Sequence, residues 1–186
     1  MKTGLWLRVA GMVLATTLAG SMASAQALNS GAQAIALNAN LAESLTLNLS
    51  ANAVNFTLAA GSANNAGSTN ITATTSWVLK PGRTAVGVYA YFASAAAALT
   101  DGAGDNIPSS AFSISDNGGA AAALTNSVTF SGANAGLKLA NVAITGANKN
   151  SSRTDVMGFN IDLSSLAQLP ANTYTGTLNI QAQATP

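Results

Sequence analysis

Residues 71–92 read ITATTSWVLKPGRTAVGVYAYF, and the stretch consists of two segments in which apolar and polar side chains alternate. One side of each segment is apolar: Ile71, Ala73, Trp77 and Leu79 in the first, and Val86, Val88, Ala90 and Phe92 in the second. Alternation with a period of two is typical of a β-strand that buries one face. Pro81 and Gly82 lie between the segments and favour a turn, so the stretch predicts a β-hairpin.

The same alternation continues along most of the chain. Short segments that show it lie at 45–49, 54–58, 111–115, 127–130, 137–144, 157–163 and 174–182. Loops rich in Gly, Asn, Asp and Ser separate many of them, and the pattern shows no run of alternating helices and strands. Eight or nine short strands of this kind are typical of two antiparallel sheets that pack face to face. The sequence therefore predicts an all-β fold, an antiparallel immunoglobulin-like β-sandwich over residues 42–186.

The first 25 residues have the pattern of an export signal. Lys2 and Arg8 give a positive start, residues 9–19 are mostly apolar, and the small residues ASA follow at 23–25. The apolar run is too short to span a bilayer comfortably, so we expect cleavage after residue 25 and no membrane span in the mature chain. The predicted location is secreted or in the cell envelope. Residues 26–41 then form an N-terminal extension or a first strand.

The composition argues against most enzyme chemistry. Charged residues make up 7% of the chain, against about 25% in an ordinary soluble domain. Without residues 1–25 the chain has five basic and six acidic residues, so no strongly basic surface is available for nucleic acid or anionic lipid. The chain has no cysteine and no histidine, which removes the thiol nucleophile, the usual general base and the commonest metal ligand. We predict a noncatalytic protein without a cofactor, and leave calcium binding by the 101–105 loop open.

Three parts of the chain carry a family resemblance: residues 33–58, the segment Trp77-Val78-Leu79, and the closing segment LPANTYTGTLNI at 169–180. Their layout resembles two groups of exported bacterial β-sandwiches, the spore coat U-like pilins of the chaperone–usher systems and the WxL surface-domain family. The resemblance implies a structural or assembly subunit of the cell surface. The pilin resemblance further implies an incomplete sandwich, whose missing strand comes from the N-terminal extension of the next copy.

Residues 31–41 have the form that such a donated strand requires. The apolar residues Ile35, Leu37, Ala39 and Leu41 alternate with Ala36, Asn38 and Asn40. A strand of this kind can pair with an open sheet edge while its alternate side chains fill a groove. The segment is either a candidate assembly strand for another copy or other surface subunits, or simply the first strand of a complete domain.

Aromatic residues offer an alternative function. Tyr89 and Tyr91 lie on the polar side of their segment and form a candidate surface contact for a glycan or a neighbouring subunit. Trp77 and Leu79 share a face and are either core anchors or contacts to a wall polymer, with the core as the better expectation. The alternative prediction is a monomeric secreted module that binds glycan or wall polymer.

Overall fold

The secondary structure is almost entirely extended within residues 30–186, the part of the chain that the computed structural model describes. The strands there are β1 (Ser44–Leu49), β2 (Asn65–Ala66), β3 (Ile71–Val78), β4 (Ala85–Tyr91), β5 (Leu99–Thr100), β6 (Asn106–Ile107), β7 (Phe112–Asp116), β8 (Ala122–Ala123), β9 (Gly136–Ala143), β10 (Asn150–Ile161) and β11 (Asn179–Thr185). A three-residue 3₁₀ helix, Ser109–Ala111, precedes β7. All these elements belong to the unit Asn40–Pro186. The predicted signal peptide, residues 1–25, lies outside the described residues.

All strand pairs are antiparallel, and the all-β prediction is confirmed. The larger sheet has the order β1-β3-β10-β7-β8, with β2 added beside β10. The second sheet has the order β11-β4-β9, and β5 and β6 form a two-stranded sheet. No helix in residues 30–186 is long and apolar enough to cross a bilayer.

The predicted hairpin at 71–92 is wrong, although both of its strands exist. β3 pairs with β1 and β10, whereas β4 pairs with β11 and β9. The two ends of the connection are hydrogen-bonded to different sheets, because Leu79 N–H donates to the Lys149 carbonyl at 2.8 Å and Thr84 N–H donates to the Thr185 carbonyl at 2.9 Å. The turn residues therefore carry the chain from one sheet to the other, and each strand keeps its apolar face buried without pairing with its sequence neighbour.

Two predicted strands do not form, and two have different bounds. Residues 54–58 make a single bridge, between Phe56 and Gly67, and residues 127–130 are part of a turn. In that turn Val128 N–H donates to Ser131 Oγ at 3.1 Å, so a side chain takes the place of a strand partner. β10 begins well before its predicted start, and β11 begins later than predicted.

The core contains side chains of both larger sheets, in two separate apolar clusters. The main cluster holds Ile71 and Ala73 of β3, Ala90 of β4, Phe112 and Ile114 of β7, Leu137 of β9, Met157, Phe159 and Ile161 of β10, together with buried loop residues. The second cluster holds Trp77, Leu79 and Val86. Trp77 is 3% exposed and its Nε1 donates to the Asn148 carbonyl at 2.8 Å, which confirms its prediction as a core anchor.

Candidate functional site

A groove of about 880 Å³ opens beside the main apolar cluster. One wall is formed by residues 51–58 and the other by residues 169–178. The floor consists of core side chains: Ile71, Phe92, Phe112, Met157, Phe159 and Ile161. Among the described residues that line the groove none is charged; the floor is apolar, and the two walls add the side chains of Asn, Thr and Tyr residues. An occupant would therefore be recognised by apolar contacts and by hydrogen bonds to uncharged groups.

The groove lies next to the ends of two edge strands, β1 and β11. β1 pairs only with β3 and β11 pairs only with β4, so each is the edge strand of its sheet, and the two edges also contact each other. β1 stops at Leu49, and β11 does not begin until Asn179. Beyond these points the chain continues without regular pairing on either side, which leaves the main cluster accessible between the two walls.

In the first wall every second side chain packs against the core. Val54, Phe56 and Leu58 are half-buried and pack against the main cluster, whereas the residues between them are exposed. Ser68 N–H donates to the Asn55 carbonyl at 2.8 Å and holds the wall to the rest of the sheet. Gly67 lies so close to Val54 Cγ1 that an added Cβ would come within 2.6 Å of it. The side chains of this wall therefore alternate as in a strand, but its backbone makes only a few of the hydrogen bonds of a paired strand.

Asn65 anchors the end of the same wall. It is 3% exposed, its Oδ1 accepts a hydrogen bond from Ala59 N–H at 2.8 Å, and its Nδ2 donates to the Ile161 carbonyl at 2.8 Å. Because both ends of the amide are satisfied, burial of this polar side chain is stabilising rather than costly. The wall is thus tied to β10 at its far end.

The second wall is held by contacts with the 98–105 loop. Thr100 and Thr175 exchange two backbone hydrogen bonds of 2.9 Å. Asn172 Nδ2 donates to Asp101 Oδ2 at 3.0 Å, and the Tyr174 hydroxyl donates to the Pro170 carbonyl at 2.8 Å. Partial burial, with the nearby acids of the loop, raises the pKa of Tyr174.

The acidic loop is organised around one carboxylate. Asp101 Oδ1 accepts hydrogen bonds from the backbone N–H groups of Ala103, Gly104 and Asp105 at 2.8–3.1 Å. These bonds, the one from Ala103 foremost, lower the pKa of Asp101. In residues 30–186 no group of three or more His, Cys, Asp or Glu side chains is placed to hold a metal ion. The Asp101 carboxylate thus stabilises its own loop and the groove wall that Asn172 belongs to.

Gly176 is the point of closest approach in the second wall. A Cβ on this residue would overlap the Ala98 carbonyl oxygen, which is backbone and cannot rotate away. We expect Gly176→Ala to lower the free energy of unfolding by about 1–3 kcal/mol, because the wall must move off the loop. Thermal unfolding measures the loss. Gly146→Ala is the matched control, since a Cβ there meets nothing within 4 Å and should leave the midpoint nearly unchanged. Equal midpoints for the two variants would contradict the expectation.

The candidate assembly strand is exposed. Ile35, Leu37 and Leu41 are 84%, 89% and 81% exposed, and Ala39 is also exposed. No strand is formed in the described residues before Ser44. Single exposed apolar side chains are ordinary on a protein surface, but a regular row of large ones marks an interaction site or an aggregation hazard.

Of the two candidate contact tyrosines, Tyr89 is buried and Tyr91 is half-buried. Tyr89 is 8% exposed and Phe130 stands edge-on to it, with ring centroids 5.8 Å apart. Lys138 Nζ lies 5.8 Å from the centroid of the Tyr89 ring. Tyr91 is half-buried and its hydroxyl is 2.9 Å from Gln181 Oε1. A glycan contact here stays a prediction, and Tyr91 with Phe130 would present more of the aromatic surface than Tyr89.

Sequence reasoning missed the groove and a group of charged side chains inside the body. The groove depends on which strands are edges, and no local pattern shows this. The buried charges could have been predicted, because Asp155 lies on the same face of its strand as the apolar Met157 and Phe159.

In comparisons with known proteins the chain matches no family model, no curated protein and no solved structure.

Proposed function

We propose that the protein is a noncatalytic structural subunit of the bacterial cell surface, an open immunoglobulin-like β-sandwich that assembles by strand donation. The exported chain gives residues 31–41 to the groove of another copy, and receives the same segment from a third. Such head-to-tail association does not close on itself and builds a fibre. The observation that carries the proposal is the pairing of an uncharged apolar groove with an exposed segment of alternating apolar residues.

The dimensions of the segment suit the groove. Residues two apart on a strand are about 6.6–6.8 Å apart, so the four apolar side chains from Ile35 to Leu41 cover about 20 Å. They would meet the half-buried Val54, Phe56 and Leu58 on one side and Leu178 on the other. The donated backbone would pair with the sparsely bonded walls, as peptides do when they add to a sheet edge.

Binding of the segment to the groove would depend on apolar burial and hydrogen bonds, and not on charged groups. Full burial of one Leu or Ile side chain contributes about 1.5–3 kcal/mol. Because fixing the backbone of the segment and joining two chains costs more than three such side chains supply, the backbone hydrogen bonds to the walls must contribute as well. Residues 26–41 contain no charged residue, and neither do the described groove residues. Salt should therefore change the association little, because screening acts only on charges.

The test separates the two faces of the segment. We expect the double variant Ile35→Asp and Leu37→Asp to abolish the concentration-dependent oligomers of the chain from residue 26, since two carboxylates cannot enter an apolar groove. The control, Asn38→Asp with Asn40→Asp, adds the same charge on the other face and should keep assembling. Light scattering after size exclusion and electron microscopy measure both. Loss of assembly in both variants would indicate charge repulsion instead of groove binding.

A second experiment tests the groove directly. A chain without residues 26–41 is expected to be monomeric and to unfold at lower temperature. A synthetic peptide of residues 31–42 should bind it and raise its unfolding temperature, whereas a peptide with Asp at 35 and 37 should not. A wild-type chain that stays monomeric at high concentration, together with a peptide that does not bind, would disprove strand donation.

A further inference from the structure

Charged side chains are scarce in the sheets, and most of those present meet inside the protein. The strands of residues 30–186 contain four charged residues: Asp116, Lys138, Arg153 and Asp155. Lys138 is exposed and lies over the Tyr89 ring. The other three lie at the inner face of the larger sheet, where Asp116 follows the buried Ile114 and Asp155 precedes the buried Met157.

The three groups lie at the level between the two apolar clusters. Thr75 of β3, opposite Arg153 in the register, separates Ala73 of the main cluster from Trp77 of the second. In the second sheet Val88 is buried and lies between Val86 of the second cluster and Ala90 of the main cluster.

The side-chain contacts of Asp155 all involve one of its two carboxyl oxygens, Oδ1. Its side chain is fully buried, Arg153 Nε donates to its Oδ1 at 2.6 Å, and Arg153 Nη2 lies 2.5 Å from the same oxygen as an ion pair. Asn117 Nδ2 adds a second hydrogen bond to this oxygen at 3.3 Å. Arg153 Nη2 also reaches Asp116 Oδ2 at 3.4 Å. One guanidinium therefore serves two carboxyl groups.

Two carboxyl oxygens in this group lack a partner. Asp155 Oδ2 and Asp116 Oδ1 are both buried and accept no hydrogen bond from the described residues. The two carboxyl groups are neighbours, because Arg153 Nη2 lies 3.4 Å from Asp116 Oδ2 and 2.5 Å from Asp155 Oδ1. Two ionised carboxylates with one guanidinium leave a net negative charge in a poorly hydrated place, and each unpaired oxygen adds a desolvation cost.

We propose that the Asp116 carboxyl keeps its proton at pH values at which exposed carboxylates are ionised, and that this proton lies between the Asp116 and Asp155 carboxyl groups. A single proton gives a hydrogen bond between the two groups and balances the charge of the cluster. The proton comes from solvent, and no other bond changes. A carboxyl group beside a second carboxyl group in a largely buried site is favoured in its protonated form.

The direction of the pH dependence follows. Burial, and next the neighbouring Asp155 carboxylate, raise the pKa of Asp116, while Arg153 opposes them. A carboxyl whose pKa is raised in the folded state stabilises the fold most below its unfolded pKa, and this contribution is lost as the pH rises through the folded pKa. Asp116 should therefore make the protein more stable in mild acid than at alkaline pH. An aspartate whose pKa is lowered on folding has the opposite effect.

The test is the unfolding temperature of the mature chain (residues 26–186) between about pH 8 and about pH 4. Asp116→Asn copies the protonated carboxyl, so it should unfold about 2–4 °C above the wild type at the alkaline end and converge with it in acid. Asp162→Asn is the control. Ser164 lowers the pKa of Asp162, so this variant should fall below the wild type at the alkaline end and also converge in acid.

The infrared spectrum of the wild-type protein gives a second measurement that does not depend on a variant. When the pH is raised from acid, one part of the protonated-carboxyl C=O band should disappear at a higher pH than the part that belongs to the exposed aspartates and glutamates. A band that disappears in a single step with the exposed carboxyl groups overturns the proposal. So does an Asp116→Asn variant that folds but is no more stable than the wild type at the alkaline end. If that variant does not fold, the infrared titration decides.

Discussion

Replacement of Phe112 by alanine is expected to lower the free energy of unfolding by about 3–5 kcal/mol. Phe112 is 4% exposed and its ring meets three others, those of Phe56, Phe92 and Phe159, at centroid distances of 5.8, 5.2 and 6.0 Å. These rings come from a groove wall, from the residue after β4 and from β10. Its loss removes apolar contacts from both sheets at once and leaves a cavity that cannot close without moving a strand.

Urea denaturation of the wild type and the variant measures the change. Phe130→Ala is the matched control, because Phe130 is half-buried and packs on Tyr89 and Tyr91, away from the main cluster. The control should lose clearly less stability than Phe112→Ala. Equal losses would mean that the core does not depend on the ring cluster around Phe112.

Replacement of Arg153 by methionine is expected to cost about 3 kcal/mol of stability. The change leaves the buried Asp155 without the cation that pairs with it and donates a hydrogen bond to it, and loss of one partner of a buried pair typically costs about 3–5 kcal/mol. The lower end applies because 33% of the Arg153 side chain is exposed to solvent. Arg83→Met is the control, because its partner Glu43, at 2.8 Å, keeps 27% of its side chain exposed whereas Asp155 has 0%, so loss of the Arg83–Glu43 pair should cost less.

A combined variant separates lost charge balance from lost packing. Arg153→Met with Asp155→Leu and Asp116→Asn removes the ion pair as a whole, and such replacements are often neutral or stabilising. We expect it to recover most of the stability that Arg153→Met alone loses, as seen in the midpoint of urea unfolding. An Arg153→Met variant that is as stable as the wild type would contradict the role of Arg153 as the cation that stabilises the buried Asp155.

The fold was largely predictable where alternation is regular. The structure has strands within residues 71–79 and 84–92, and β3 alternates between buried and half-buried side chains as predicted. β4 is different, because all residues from Val86 to Ala90 are buried, including Tyr89 on the face predicted to be exposed. The start of β10 was missed, because Ser151 and Ser152 offer no apolar alternation and the strand is held there by its pairing with β3. Residues 54–58 show the opposite case, since they alternate well but have little to pair with.

The candidate site was predictable only in part. The alternating Ile35, Leu37, Ala39 and Leu41 are visible in the sequence, and the structure leaves their side chains exposed. The groove was not visible, because its walls are irregular segments more than 100 residues apart in sequence, 51–58 and 169–178. Its position follows from where β1 ends and β11 begins, and both limits are set by neighbouring strands.

By itself, the sequence determined most of the extended segments and the apolar face of each, because side chains on a strand alternate with a period of two whatever the strand pairs with. It also determined the absence of charge from the segment 26–41. Only the tertiary structure decided that β3 and β4 join different sheets, that the core stays open between two edges, and that Arg153 and Asp155 meet Asp116. These features depend on contacts between residues far apart in sequence, and backbone hydrogen bonds can pair any strand with any other. The choice among pairings is made by the burial of all apolar faces together, which no single segment encodes.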